Sequence, residues 1–301
     1  MIAEPLLGPF EWPRFLLLIV ACAGVTALLI PCARYVRLLD DPATAPERKL
    51  QARAIPRVGG LLLVAGWTSS MLFGANLPRA SLDLHWLGAG LASALVAGLI
   101  DDSWRGGLAA APKLCLQFAA AFLFARSGLF GTSLLELVGG TLLGVGAMNA
   151  ANTFDNADGA LTLLATLGFA LVEPLASAPL IGFLPFNLGW RRGAARAYLG
   201  DGASQLLGLA LLLHPLSALL LLVPALDLAR LAWVRWRAGS RPWIGDRRHL
   251  AHRFEARGWN PPAVVLALAA TCAAPLLAEG SIALALGLGV LALGLALRAS
   301  R

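Results

Sequence analysis

The stretch WLGAGLASALVAGLIDD, Trp86 to Asp102, is an apolar and small-residue run closed by two adjacent carboxylates. It approaches the ~20 residues that cross a bilayer as a helix. Comparable runs recur at Phe15 to Ile30, Val58 to Phe73, Lys113 to Phe124, Leu134 to Met148, Leu216 to Val234, Pro262 to Leu277 and Ile282 to Leu297. With 58% hydrophobic and 14% charged residues and a mean hydropathy of +0.73, a soluble chain of 301 residues would leave too much apolar surface uncovered. The fold class expected is all-α: one polytopic membrane domain, residues 1–301, with about 10–11 transmembrane helices.

Charge orients those helices. The net charge of +7 could suggest nucleic acid, but the cations sort by connection. Arg34, Arg37, Arg48, Lys49, Arg53 and Arg57 fill the first long loop; Arg105 and Lys113, then Arg191, Arg192 and Arg196, lie in later ones. Arg235, Arg237, Arg241, Arg247, Arg248, Arg253 and Arg257 fill the last. The alternate connections hold only Arg79 and Arg126, with Arg14 near the start. By the positive-inside rule the Arg-rich side is cytoplasmic and the N-terminus lies outside; no nucleic-acid partner is expected. Glu4 and Glu11 precede the first cation, Arg14, so the first run reads as a retained helix and not a cleaved signal. Four scattered cysteines without CxxC spacing indicate neither zinc nor a disulfide framework.

Between Asp158 and Asp201 the topology needs an even number of crossings. Only about 15 apolar residues lie on each side of Glu173-Pro174, short of a full span. These helices are expected either to thin the bilayer or to be shielded by protein.

The polar residues that interrupt the apolar runs cluster on the expected cytoplasmic side. Adjacent residues on a helix diverge by ~100°, so Asp101 and Asp102 are expected to face different neighbours. A helix C-terminus disfavours anions, so the pair needs a cation or a function. In Asn149-Ala-Ala-Asn-Thr-Phe-Asp-Asn-Ala-Asp158 a polar residue recurs every third position (Asn149, Asn152, Asp155, Asp158), a ligand or metal face on one side of a helix end. Leu199-Gly-Asp-Gly202 places Asp201 at a helix start, where N–H groups favour an anion such as phosphate. Asp201 would hold a bridging cation, for which magnesium is the fitting choice. His249 and His252, spaced i, i+3 with Arg253 beside them, suit a pyrophosphate better than a metal.

The ordered set of motifs resembles the polyprenyl-phosphate N-acetylhexosamine-1-phosphate transferase superfamily, from about Asp40 to Gly258. The carrying residues are Asp40-Asp41-Pro42, Arg48-Lys49, Ile55-Pro-Arg-Val-Gly-Gly60, Gly98 to Asp102 with Lys113 and Gln117, and the Asn/Asp loop. Leu184-Pro-Phe-Asn187, Tyr198 to Ser204, Pro224-Ala-Leu-Asp227 and the histidine loop continue it. The chain departs from the family pattern at Gln51 and Ala251, where histidines are usual. The resemblance implies a magnesium-dependent enzyme, with manganese as substitute, that moves a sugar phosphate from a UDP-N-acetylhexosamine to undecaprenyl phosphate and releases UMP. It implies a bacterial inner-membrane location and admits a homodimer. Asp101 and Asp102 would position or deprotonate the lipid phosphate, and Asp201 would bind the metal. Asp155, Asp158 and Asn187 would line the nucleotide-sugar pocket, with Tyr198 near the uracil and His249, His252 and Arg253 facing phosphates or sugar. Arg48, Lys49, Lys113 and Asn152 join the substrate-binding set. The branch that initiates O-antigen, common-antigen or teichoic-acid linkage units is favoured over the phospho-muramoyl-pentapeptide branch. An ion or lipid transporter built on the same aspartates is the rival from another class.

Overall fold

The computed structural model describes residues 12–44, 53–72, 82–104, 106–190, 195–243 and 246–300. Thirteen helices are found among them. The first five are α1 (Trp12–Tyr35), α2 (Gly59–Leu72), α3 (Leu84–Ser103), α4 (Ala110–Ala125) and α5 (Leu134–Phe154). Then follow α6 (Ala160–Ala170), α7 (Pro174–Asn187), α8 (Gly200–Ala210), α9 (Pro215–Leu219), α10 (Leu222–Arg237), α11 (Leu250–Ala256), α12 (Pro261–Ala273) and α13 (Ile282–Ala299). One small antiparallel ribbon pairs β1 (Leu39–Asp40) with β2 (Ile55–Pro56), Leu39 opposite Pro56 and Asp40 opposite Ile55.

Local chemistry sets the helix ends. Asp83 caps α3 by accepting from His85 N–H at 3.0 Å, and Ser133 with Glu136 forms a reciprocal capping box on α5. Pro174 and Pro261 occupy first-turn positions of α7 and α12, where a missing N–H costs nothing.

Six helical segments among the described residues are long and apolar enough to cross a membrane: α1, α3, α5, α9–α10, α12 with its 3-10 extension to Ala278, and α13. The chain is therefore a multi-pass helical membrane protein. The other apolar segments counted from sequence are shorter helices: α2 and α7 of 14 residues, α4 of 16, α6 and α8 of 11. The shortness expected between Asp158 and Asp201 is thus real.

Exposure sorts the helices into an outer layer and a centre. α1, α5 and α13 display Leu16, Leu28, Leu135, Leu142, Val290 and Leu291, each at least half exposed, a surface suited to lipid tails and not to water. In contrast, every residue of α8 except Asp201 is buried, and the helix is sheathed by α2, α3 and α5. At ~1.5 Å per residue α8 cannot reach across a bilayer on its own. Protein surrounds it, so its ends need not meet lipid. Close packing depends on Gly98, where a side chain would overlap the Asp201 carbonyl. Small residues permit such approach where lipid offers helices no hydrophobic drive to associate.

Candidate active site at the meeting of α3, α4, α5 and α8

Asp101 and Asp102 do diverge. Asp101 Oδ2 pairs with Lys113 Nζ at 2.8 Å, while its Oδ1 accepts from Leu108 N–H. Asp102 turns the other way, accepting from Gly202 N–H at 3.1 Å and pairing with Arg57 Nη1 at 3.1 Å. The anion found at the start of α8 is therefore a carboxylate from α3, which meets an N–H that the helix itself leaves unpartnered. Gly200, at φ +79, carries the chain past it; a side chain there would come within 2.6 Å of Asp102 Oδ2.

Asp201 completes the centre. Its Oδ2 lies 2.5 Å from Lys113 Nζ, and its Oδ1 accepts from Asn152 Nδ2 at 2.8 Å. Asn152 also reaches Ser204 Oγ at 3.0 Å. Asn149, one turn back on α5, instead donates to Gln117 Oε1 at 2.9 Å. Asp155 caps the end of α5, its carboxyl pushed well above the usual range by burial and then by Asp201, Asp158 and Asp102, against the pull of Arg57.

Arg57 and Asp40 were not among the residues singled out for chemistry. Arg57 bridges Asp40 and Asp102, and also donates to the Asp102 carbonyl at 3.0 Å. Main-chain bonds place it: Tyr198 N–H donates to the Pro56 carbonyl at 2.8 Å, and Val58 N–H to the Tyr198 carbonyl at 3.1 Å. Arg57 lies in the Ile55 to Gly60 motif, but nothing there sets it apart from the other cations of the loop; the pairing with Asp40 and Asp102 does. Burial, then Asp158, Asp40 and Asp155, raise the Tyr198 phenol, so it remains a donor near neutral pH. Asn187 is buried and engaged, accepting from Thr162 Oγ1 at 2.6 Å and donating to the Ala197 carbonyl at 3.1 Å. It ties the segment before Tyr198 to α6.

The last loop forms a second polar group. Buried Arg235 grips Asp246 through Nε and Nη2, both at 3.1 Å, and donates through Nη1 to the Pro242 carbonyl at 3.0 Å. Its Nη2 lies 3.3 Å from His249 Nε2. A guanidinium only donates, so this nitrogen accepts and the ring proton sits on Nδ1, which is buried without a partner among the described residues. Burial, with His252 and Arg235 nearby, lowers His249 to about 4, so the ring is neutral.

His252 stacks edge-on to His249 with centroids 6.0 Å apart, and its Nδ1 lies 3.1 Å from Glu255 Oε2. Asp158 joins the two groups: burial, Glu255 and Asp40 push its carboxyl up to about 7, opposed by His252. Arg253 reaches α13, donating to Ser300 Oγ at 3.0 Å and the Leu297 carbonyl at 3.3 Å. Arg48 and Lys49 lie outside the described residues.

Among the described residues, Asp101, Asp102, Asp155 and Asp201 lie within one electrostatic neighbourhood, where the ion pairs come from Arg57 and Lys113. With Asp40 also on Arg57, the carboxylates of this neighbourhood outnumber the two cations that pair with them among the described residues. Such a surplus at helix ends marks a membrane protein that handles ions or phosphates.

No family model matches the chain. The chain is 28% identical to the decaprenyl-phosphate N-acetylglucosaminephosphotransferase of Mycolicibacterium smegmatis, over 82% of this chain and 78% of that protein. It is 27% identical to the protein of the same description in Mycobacterium tuberculosis, with the same coverage. It is 26% identical to the undecaprenyl-phosphate alpha-N-acetylglucosaminyl 1-phosphate transferase of Escherichia coli K12, over 82% of this chain and 76% of that one. The chain is thus a homologue of the polyprenyl-phosphate N-acetylglucosamine-1-phosphate transferases, the superfamily that its motifs resemble.

Proposed function

We propose that this protein transfers N-acetylglucosamine-1-phosphate, or a closely related N-acetylhexosamine-1-phosphate, from a UDP-sugar to a polyprenyl phosphate and releases UMP. The observation that carries the reading is the Lys113 bridge between Asp101 and Asp201, set in a carboxylate surplus, in a chain homologous to such transferases over most of its length. An oxygen of the lipid phosphate would attack the β-phosphorus of the UDP-sugar. The bond from that phosphorus to the oxygen bridging it to UMP would break, leaving UMP with the electron pair. Phosphoryl transfer needs positioning and charge stabilisation more than covalent help, and the residues present supply both.

Lys113 would exchange one carboxylate for a phosphate oxygen. Arg57, held by Asp40 and Asp102, keeps the start of α8 fixed. Tyr198 and His249 would offer neutral donors to the nucleotide sugar, with Asp155 and Asp158 lining its pocket.

The donor set also fits magnesium, with manganese as a substitute. Asp101 and Asp201, brought together across Lys113, offer the one or two carboxylates that magnesium takes beside phosphate oxygens and water. Asp201 is the residue we assign to it. When bound, the ion would spread the negative charge of the reacting phosphates.

Asp101, Asp102 and Asp201 lie beside Arg57 and Lys113, and Asp158 links this group to the Arg-rich last loop through Asp40, Glu255 and His252, which supports a cytoplasmic face in a bacterial inner membrane. Asp201→Asn tests the proposal. Magnesium-dependent UMP release in detergent, with both substrates supplied, is expected to fall about 10²–10³-fold, the usual loss of a central electrostatic group. Unchanged turnover would remove Asp201 from the centre. UDP-sugar binding without any UMP from the unaltered protein would overturn the enzymatic reading itself.

A further inference from the structure

One helical turn beyond the charged centre, toward the middle of the bundle, amide side chains lie between two layers whose contacts are fixed. In the layer nearest the centre, Asp201 of α8 bonds to Lys113 of α4 and Asn152 of α5. In the deeper layer, Gly144 of α5 lies against α4 and α8: an added Cβ would come 2.9 Å from Ala121 Cβ and 3.1 Å from Leu209 Cδ2. Steps of four residues connect the layers, through 113, 117 and 121 on α4 and through 201, 205 and 209 on α8. Along α5 the steps run the opposite way, 152, 148 and 144. Residues four apart share a helix face, so Gln117 and Gln205 come to the same level, with Asn149 beside them.

Their hydrogen bonding is incomplete. Gln205 is fully buried, and neither its Nε2 nor its Oε1 has a partner among the described residues. Gln117 is equally enclosed; its Oε1 accepts from Asn149, but its Nε2 is unpartnered. A buried amide in such a state is destabilising, and native proteins satisfy these groups with ordered water where the site is polar.

We propose that Gln117, Asn149 and Gln205 form a buried water-binding site beneath the Lys113–Asp201 pair. One water accepts from Gln117 Nε2–H and donates to Gln205 Oε1; a second accepts from Gln205 Nε2–H. The two amide N–H donors facing the site disfavour a cation. The water layer holds α4, α5 and α8 in register behind the charged centre. It does so whatever substrate that centre takes.

Thermal unfolding in detergent separates a wet site from a dry one by sign. Gln205→Met conserves volume and removes polarity, so in a wet site it strands Gln117 and lowers Tm by about 2–4 °C. Gln117→Met lowers it at least as much, and the double variant no further than Gln117→Met alone, because both changes lose the same water. A dry site predicts the reverse, since Gln205→Met then removes two unsatisfied atoms and Tm rises. A raised or unchanged Tm for Gln205→Met, or a double variant equal to the sum of the singles, would overturn the site. An experimental density map of the unaltered protein is the second measurement. Water density between Gln117 and Gln205 is expected, and a direct bond between the two amides overturns the proposal.

Discussion

The charged centre and the last loop are both polar and both buried, yet they are built in opposite ways. The centre joins near pairs, Lys113 to Asp101 over 12 residues and Arg57 to Asp40 over 17, to distant ones: Arg57 to Asp102 over 45, Lys113 to Asp201 over 88 and Gly202 to Asp102 over 100. The last loop is built around near pairs, Arg235 reaching Asp246 over 11 residues and His249 over 14, with Arg253 tying it to Ser300 over 47. The centre keeps a surplus of carboxylates, whereas Arg235 and Asp246 neutralise each other. An uncompensated buried charge is costly unless a counter-charge arrives in the working state. The centre is therefore organised to receive charge, and the last loop to hold a shape.

Lys113→Met strains that contrast hardest. Methionine keeps much of the apolar stem but leaves Asp101 and Asp201 facing each other without the shared cation. UMP release by the purified protein is expected to drop about 10²–10³-fold, with partial recovery in Lys113→Arg. Activity within about threefold of the unaltered protein, smaller than any lost central electrostatic contact, would show that the centre is structural.

Arg235→Lys asks whether the last loop only shapes the pocket. A lysine cannot reproduce the two-pronged grip on Asp246 together with the bonds to Pro242 and His249. Lost orientation should appear as KM for the nucleotide sugar rising about 10-fold, with kcat nearly kept. A fall in kcat matching that of Lys113→Met would erase the distinction between the two regions.

The same contrast explains what the sequence made legible. The apolar runs, the shortness of α6 to α8 and the divergence of Asp101 from Asp102 follow from local periodicity and were readable. So was the i, i+3 approach of His249 to His252. Partners across the fold were not: nothing near Arg57 in sequence announces Asp40 and Asp102 as its acceptors. The N–H groups at the start of α8 suggested a phosphate, but the close approach allowed by Gly98 brings Asp102 there instead. The motif that marks Asn187 does not announce its bonds to Thr162 and Ala197. Gln205 carries no sequence signal, because its significance lies in the absence of a partner around a fully buried amide.

Asp158 is where the two regions touch, and it sharpens the comparison at the smallest scale. Burial, Glu255 and Asp40 raise its carboxyl from 3.8 to about 7, so it is largely neutral in mild acid and anionic above neutrality. Once ionised it repels an incoming diphosphate, and KM for the nucleotide sugar should climb a few-fold as pH rises through about 7. His249, held near 4, contributes no change over that range. Stability moves in the same direction. The native carboxyl keeps a proton that the unfolded chain has already released, so its favourable contribution is present at low pH and is lost as pH rises through about 7. Asp158→Asn is neutral at every pH and should flatten both trends, leaving kcat little changed because the Lys113 bridge is intact. An inflection near 7 that survives in Asp158→Asn would belong to another group. It would place the joint between the two regions elsewhere.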